Sequence, residues 1–326
     1  NWTWNIYEPD PQSEIIRAIP KDVALLADFE RGGTRRINLE RDSVRLDRTI
    51  DIDEYSLVYV GPSARFTGTL AAARARGVPC YAKLQIGTTH EIATVPNLPL
   101  IPNLYRKFVG LRALAVDGFL GCWNFGNDPT LNTFAVGKLL QQSIPDDERT
   151  FLRTVAAEYF PGGDVEQIIA AWYKFCQAME MHPFSIIFIY TAPVNHAVVR
   201  PWKLDPPSRT LFGTWHIKDD YGDKLEECRG PFSLEEIELL LGELVDRWRA
   251  GVKTFETGLA VAEQTLRAQQ ELSVARMIGH QFHSTRNIFT FYRLRNAWLA
   301  NRSTEEAEAW KRVVRDEIGN LEACLP

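Results

Sequence analysis

The stretch DGFLGCWNFGND, residues 117–128, joins a short apolar run to a polar, aromatic segment interrupted by glycine. Apolar residues 119–122 are typical of a short buried strand, and the residues after them are typical of a loop. Polar and aromatic side chains therefore follow the end of this strand: Trp123, Asn124, Asn127 and Asp128. We interpret the stretch as a strand that leads into a binding loop.

Three earlier stretches have the same layout, an apolar segment followed by polar residues: NWTWNIYEPD (1–10), DVALLADFERGG (22–33) and VPCYAKLQIGTTHE (78–91). Helical patterns occur between the strands, and the one over residues 62–77 begins at a proline and stops at Gly77. Residues 34–60 are predicted to be irregular and charged. Alternation of strands and helices predicts parallel βαβ units.

The predicted fold class is α/β. Four strands with polar carboxyl ends make half of a (β/α)8 barrel, whose active site is built at that end. We expect residues 1–135 to be the second half of such a barrel, with the missing strands preceding the chain or supplied by a second chain. An open doubly wound sheet is the alternative, but its glycine-rich phosphate turn, GxGxxG, is missing after the first strand.

Residues 136–326 are expected to be mainly helical, with an all-α bundle of three long helices from about residue 233 and a partly extended segment over residues 183–202. The sequences SLEE and STEE, which start at Ser233 and Ser303, have the form of a capping box. These two helix starts are therefore well defined.

Composition excludes several classes of function. A formal net charge of −5 without a basic stripe argues against a nucleic-acid partner. No apolar run approaches the roughly 20 residues that span a bilayer, so we expect no membrane segment. Five widely spaced cysteines fit neither a disulfide framework nor a zinc site. His280 and His283 lie three apart without further ligands, and we predict neither a metal nor a cofactor.

The carboxylates suggest a mechanism. Asp28 and Glu30 lie two apart at the polar end of a predicted strand, so both point to the same side. Hydrolysis of a glycosidic bond needs one group that protonates the leaving oxygen and a second carboxylate that acts as nucleophile, base or charge stabiliser. An ion-pair network with the nearby Arg31, Arg35 and Arg36 would use the same two residues, and both interpretations stay open.

The third strand adds further candidates. Lys83 and Gln85 share one face, and a lysine inside such a strand needs a charge partner, for which Asp28 is the expected carboxylate. Beyond the strand, Glu91 is a candidate catalytic acid. His90 is either a general acid or base, or simply a hydrogen-bonding side chain of a substrate loop.

Tryptophan is frequent, with nine residues. Trp4 and Trp123 are expected to stack on sugar rings, with Asn124, Asn127 and Asp128 binding the hydroxyls; the alternative is that Trp123 plugs the barrel top. Glu8 and Asp10 are each followed by a proline, Pro9 and Pro11, in a rigid loop that presents side chains to substrate, unless Asp10 only caps the next helix.

Taken together, the stretches NWTWNIYEPDP, LLADFERGG, YAKLQIGTTHE and DGFLGCWNFGND and the helical tail resemble the later strands and C-terminal helices of bacterial glycoside hydrolase-like proteins, most generally the β-N-acetylhexosaminidase-like (β/α)8 enzymes. In that group a tryptophan near the last strand lines the sugar pocket, which Trp123 matches. The usual acidic pair would precede residue 1, so either the catalytic acid is absent or acids of the later strands replace it.

This resemblance implies a glycoside hydrolase, or a fragment of one, with a carbohydrate substrate. Two alternatives stay open: a noncatalytic carbohydrate-binding protein on the same scaffold, and an unrelated barrel enzyme, such as a lyase, that acts on a small polar metabolite.

Overall fold

The computed structural model describes residues 13–41, 44–122, 128–141, 147–205, 208, 222–260, 262 and 265–325. The first predicted strand lies outside the described residues. So do six predicted site residues: Trp4, Glu8, Asp10, Trp123, Asn124 and Asn127.

The first part of the described chain contains all of its strands: α1 (Ser13–Ala18), β1 (Leu25–Asp28), β2 (Gly33–Arg41), β3 (Val44–Ile52), α2 (Ala64–Arg76), β4 (Cys80–Lys83), α3 (Ile101–Ala113) and β5 (Gly118–Leu120). Helices follow: α4 (Leu131–Leu139), α5 (Glu148–Tyr159), α6 (Val165–Met179), α7 (Ile186–Thr191), α8 (Leu234–Leu259), α9 (Leu266–Asn301) and α10 (Thr304–Glu322). Short 3-10 helices lie at Pro193–Asn195, Ala197–Val199 and Leu225–Cys228.

The predicted (β/α) barrel is wrong. Within the described residues, β1, β4 and β5 form one parallel sheet in the order β1-β4-β5, and β2 and β3 form a separate antiparallel hairpin. Helix makes up 59% of the structure and strand only 11%, so the described residues contain too few strands to close a barrel. β1, β4 and β5 lie within the predicted strand stretches 22–33, 78–91 and 117–128 and pair in parallel, but the hairpin separates β1 from β4 in the sequence.

The hairpin explains part of the error, because it uses the segment that we expected to be irregular. Its register runs from Gly33 opposite Ile52 to Arg41 opposite Val44. Apolar side chains alternate with charged ones, so Ile37 and Leu39 are buried while their neighbours face solvent. Residues 183–202, expected to be partly extended, are instead mostly helical, in α7 and two 3-10 turns.

Helices α2 and α3 cover the sheet. α2 contacts β1 and β4, and the ring of Phe66 lies 5.2 Å from that of Phe29, which directly follows β1. Ser63 caps the start of α2, and Gly77 ends it in a left-handed conformation with φ 71°, which confirms the predicted stop. On α3, Phe108 meets Phe119 of β5 edge to face.

Helices α6, α8 and α9 pack around a group of aromatic side chains in the core. Trp248 of α8 is fully buried, its ring centroid lies 4.4 Å from that of Phe175 of α6, and its indole N–H donates to the Ala275 carbonyl oxygen of α9 at 2.8 Å. The predicted helix starts are confirmed: Ser233 and Glu236 form a complete capping box, and the Ser303 hydroxyl accepts from the Glu306 N–H. Among the described helices, none is long and apolar enough to cross a bilayer.

Candidate functional site

The carboxyl ends of β1 and β4 bring the first candidate residues together. The parallel register sets Asp28 opposite Lys83, and both side chains are buried. The Lys83 ammonium lies over the ring of Tyr55, 2.9 Å from its centroid. Burial lowers the pKa of Lys83 to about 8, although the carboxylates of Glu30, Asp28 and Glu54 oppose the shift by stabilising its charge. Three buried carboxylates, those of Glu30, Asp28 and Glu54, therefore lie near the Lys83 ammonium.

Glu30 lies just beyond the end of β1 and is held by a helix. Its Oε1 accepts from the ammonium of Lys107 on α3 at 2.5 Å and from the backbone N–H of Gln85 at 3.0 Å. Burial raises the pKa of Glu30, because the cost of desolvating the carboxylate exceeds the stabilisation from Lys107. Glu30 thus has a cationic partner, as the ion-pair interpretation expected.

That partner was not among the arginines considered from the sequence. Arg36 pairs with Asp47 across the hairpin, with Nη2 2.6 Å from Oδ2. Arg35 donates to the backbone carbonyl oxygen of His182 at 2.9 Å. The signal for Lys107 is weak in the sequence, because a lysine within a helical pattern usually faces solvent.

Glu54 completes the group of carboxylates, and the sequence reasoning missed it. Residue 54 follows the hairpin, so the side chain reaches the sheet only because β2 and β3 fold back. It is 1% exposed and accepts from the Tyr55 N–H and from the Tyr190 hydroxyl, both at 3.0 Å. Burial raises the pKa of Glu54, and the nearby Asp28 carboxylate raises it further. Glu54 is therefore a candidate proton donor.

Asp28 has a different environment. Its Oδ2 lies 3.9 Å from Nη1 of Arg65 on α2, and Lys83 faces it from the next strand. Burial raises the pKa of the Tyr55 hydroxyl, and the carboxylates of Asp28 and Glu54 raise it further. Asp28 thus lies beside two cations, Arg65 and Lys83.

Glu91, predicted as a catalytic acid, is surrounded by hydrogen-bond donors. Its Oε1 accepts from the Ser56 hydroxyl at 2.5 Å, and its Oε2 accepts from the Leu57 N–H at 2.9 Å and the Thr89 hydroxyl at 2.6 Å. These bonds tie the loop after β4 to residues 56–57. The geometry favours a bracing role for this carboxylate.

His90 lies near the same group. Burial and the charge of Lys83 lower the pKa of His90 to about 4, so its imidazole is neutral at pH 7. The ring lies 5.1 Å from that of Tyr190, whose hydroxyl binds Glu54. A neutral ring fits the hydrogen-bonding interpretation of His90 better than the general-acid one.

Asp128 stands apart from these side chains. It is exposed and lines a separate cavity of about 560 Å³ between the start of α4 and the start of α9. At the base of the cavity is Glu271, whose Oε1 accepts from the Leu131 N–H at 2.9 Å and the Tyr159 hydroxyl at 3.0 Å. Burial raises the pKa of Glu271. The sequence reasoning did not select Glu271, which lies within a long helix.

His280 and His283 bind side chains of α10. His280 Nδ1 lies 2.8 Å from Asn320 Oδ1, and His283 Nε2 lies 2.7 Å from Asp316 Oδ2. Nowhere in the described part of the chain are three His, Cys, Asp or Glu side chains grouped so that they could hold a metal ion.

Comparison of the chain with protein-family models, with curated proteins and with solved structures found no match. The likeness to glycoside hydrolase-like proteins therefore stays a prediction.

Proposed function

We propose that the chain is a glycoside hydrolase whose chemistry takes place at the carboxyl ends of β1 and β4. The reaction breaks the bond between the anomeric carbon and the leaving oxygen, which takes up a proton, while water supplies the hydroxyl that replaces it. One carboxyl group has to be protonated at the start and a second has to be ionised. The site offers one carboxyl group, Glu54, whose pKa is raised by burial, and a second, Asp28, that lies beside cations.

The observation that carries the proposal is the contrast between Glu54 and Asp28. Burial raises the pKa of Glu54, which keeps a proton available for the leaving oxygen, and the Tyr190 hydroxyl and Tyr55 N–H fix its orientation. Asp28 faces Arg65 and Lys83, which stabilise negative charge. We therefore assign Glu54 as the proton donor and Asp28 as the nucleophile, base or charge stabiliser.

Glu30 and Glu91 receive positioning roles in this scheme. Glu30 accepts through Oε1 from Lys107 and from the Gln85 N–H, and both oxygens of Glu91 accept from a total of three donors. Their bonds fix the end of β4 and the loop that follows it, which carry Lys83 and His90. Gln85, whose side chain is fully buried, joins this frame through its backbone N–H.

Hydrolysis of a panel of chromogenic aryl glycosides tests the proposal. We expect Asp28→Asn and Glu54→Gln each to lower kcat/KM by about 10²–10⁴-fold, because each removes the charge or the proton without changing the shape. Glu40→Gln on the exposed face of the hairpin is the matched control and should retain full activity. Hydrolysis that survives both site substitutions would overturn the assignment. Binding of the glycosides without turnover by the unmodified chain would favour the noncatalytic alternative.

One observation supports a second function. With a pKa of about 8, part of the Lys83 population is a neutral amine at pH 7, and a neutral amine can attack a carbonyl carbon to form an imine with loss of water. This chemistry belongs to an enzyme that acts on a small polar metabolite. Borohydride reduction in the presence of hydroxy-aldehydes and hydroxy-ketones should then attach the metabolite to Lys83 by a stable bond. Mass spectrometry detects the adduct, and Lys83→Met should abolish it.

A further inference from the structure

The cavity beside Asp128 has the size and lining of a ligand site. Its volume of about 560 Å³ lies within the roughly 300–1,000 Å³ typical of small-molecule pockets. Its walls combine apolar surface from Tyr159, Leu266 and Val274 with the side-chain amides of Gln269 and Gln270. Both glutamines are exposed, so their donors and acceptors are available to a ligand.

Hydrogen bonds connect one wall of the cavity to the sheet. The amide of Asn132 on α4 donates to the carbonyl oxygens of Ile86 and Gly87, in the loop directly after β4, at 2.8 and 3.1 Å. Asn97, which lines the cavity, donates to Asn132 Oδ1 at 3.4 Å and to Glu271 Oε2 at 3.1 Å. These bonds therefore join the wall of the cavity to the loop after β4. Gln85 lies at the start of this loop, and His90 and Glu91 lie at its end.

Asn97 adds a buried polar group to the lining of the cavity. The side chain is fully buried, and its Oδ1 accepts no hydrogen bond from any residue that the structure describes. A buried carbonyl oxygen without a donor is costly, so this wall contains an unsatisfied acceptor.

The charges of the lining define the class of ligand. The described lining residues include two carboxylates, Asp128 and Glu271, and no lysine, arginine or histidine. The guanidinium of Arg267 lies 5.3 Å from the centroid of the Tyr159 ring, but Arg267 is not a lining residue. Carboxyl groups and amides bind hydroxyl groups well, whereas the Asp128 carboxylate repels an anionic ligand and no lining cation attracts one.

We propose that this cavity is a saccharide-binding subsite that accepts neutral sugar units and rejects acidic ones. The inference rests on the proposed function for the identity of the ligand as a carbohydrate. The subsite is distinct from the carboxylates at the ends of β1 and β4, and it holds a part of the oligosaccharide that is not cleaved.

Titration calorimetry on the full chain with the Asp28→Asn substitution tests the subsite without turnover. The probes are the neutral hexasaccharides of β-1,4-linked glucose, xylose and mannose, with hexagalacturonate as the acidic probe. We expect at least one neutral probe to bind and hexagalacturonate to bind at least tenfold more weakly. Failure of all three neutral probes to bind, or stronger binding of hexagalacturonate, would overturn the proposal.

Two variants place the binding in the cavity. Ser273→Trp, at an exposed lining position of α9, should fill the space and abolish binding, whereas Met277→Trp, exposed on the same helix outside the cavity, should leave it unchanged. The milder double variant Gln269→Ala/Gln270→Ala should weaken binding by about tenfold, through the loss of hydrogen bonds. Equal affinity in Ser273→Trp and Met277→Trp would contradict the location.

The result is separable from the test of hydrolysis. In an otherwise unmodified chain, Ser273→Trp should still cleave aryl monosaccharides, which do not reach the subsite, while losing activity on the hexasaccharide that binds. Intact cleavage of both substrates would overturn the subsite and leave the hydrolase proposal standing. If the chain binds oligosaccharides but cleaves neither substrate, the hydrolase proposal is overturned and the subsite stands.

Discussion

Lys107 Nζ lies 2.5 Å from Glu30 Oε1, and neither side chain has any exposed surface. The same ammonium donates to the Ser56 carbonyl oxygen at 2.7 Å. One buried cation therefore joins α3 to the turn after β1 and to the segment that follows Glu54. The geometry of the candidate site therefore depends on this pair.

Replacing Lys107 by methionine should strongly destabilise the fold. Methionine matches the length of the aliphatic chain but leaves Glu30 buried without its cation, and breaking a buried pair costs about 3–5 kcal/mol. We expect a fall of this size in the free energy of unfolding, measured by urea denaturation at pH 7. Arg106→Met is the control at the adjacent residue: Arg106 pairs with Glu148 in a partly exposed position, where the loss should be below about 1 kcal/mol.

The double variant Lys107→Met/Glu30→Gln distinguishes the energetic cost of the unpaired charge from the cost of the lost packing. If the unpaired carboxylate causes the loss, the double variant should be more stable than Lys107→Met alone, because neither residue of the pair then carries a charge. A double variant that loses the sum of the two single effects would show that packing, not charge, sets the cost.

His182 should make stability sensitive to acid. Its ring is fully buried, its Nε2 lies 3.2 Å from the Glu91 carbonyl oxygen, and burial together with the charge of Arg35 lowers its pKa to about 3. On acidification the unfolded chain binds the proton first, at a pKa of about 6.5. The stabilisation from the neutral ring is therefore complete above pH 6.5 and is lost as the pH falls from 6.5 towards 3.

Urea denaturation at pH 7.5, 5.5 and 4.5 measures this loss. We expect His182→Gln to be less stable than the unmodified chain at pH 7.5 but to lose less stability between pH 7.5 and 4.5, because glutamine does not take up a proton. Parallel losses in the two proteins would show that other groups, such as His90, carry the acid sensitivity.

The sequence predicted the local elements of the fold better than their assembly. The strands at residues 25–28 and 80–83 were found because apolar runs end in polar residues, and the pairing of Lys83 with Asp28 followed from the need to neutralise a lysine inside a strand. The hairpin was missed because charged residues alternate with Ile37, Leu39, Leu46 and Ile50, which hides the apolar face. Because the hairpin was not predicted, the predicted strands were assigned to half of a barrel.

The same limit applies to the candidate site. Asp28 and Glu30 are close in sequence and were found by spacing, but Lys107 lies 77 residues beyond Glu30 on a different element. Glu54 reaches Asp28 only through the hairpin that the sequence did not reveal. Contacts of this kind depend on how elements pack, and spacing along the chain contains no information about them.

Lys83 should control the pH dependence of hydrolysis if Glu54 is the proton donor. The rate then falls as the pH rises through the pKa of Glu54, because the donor is lost. Lys83 is a nearby cation that favours the ionised form of Glu54. Lys83→Met removes this charge, so the basic limb of the profile of kcat/KM against pH should move to higher pH. A shift to lower pH, or none, would contradict the assignment of Glu54.

Two identical substitutions at glycines should have opposite effects. Gly32, in the turn that joins Glu30 to the hairpin, has φ +82°, and an added Cβ would lie 2.6 Å from the Cβ of Arg65, which is fixed on α2. Gly32→Ala therefore costs about 1–2 kcal/mol from the left-handed backbone alone and also displaces the residue that faces Asp28. By contrast, an added Cβ at Gly137 on α4 meets no atom within 4 Å.

Because alanine is a better helix former than glycine, Gly137→Ala should raise the free energy of unfolding by up to about 1 kcal/mol. Urea denaturation compares the two variants, and glycoside hydrolysis provides a second measurement. Gly32→Ala should lose activity as well as stability, since Arg65 no longer holds its place beside Asp28, while Gly137→Ala keeps full activity. Full activity in a destabilised Gly32→Ala variant would show that the position of Arg65 does not matter for the reaction, and the environment proposed for Asp28 would then need to be revised.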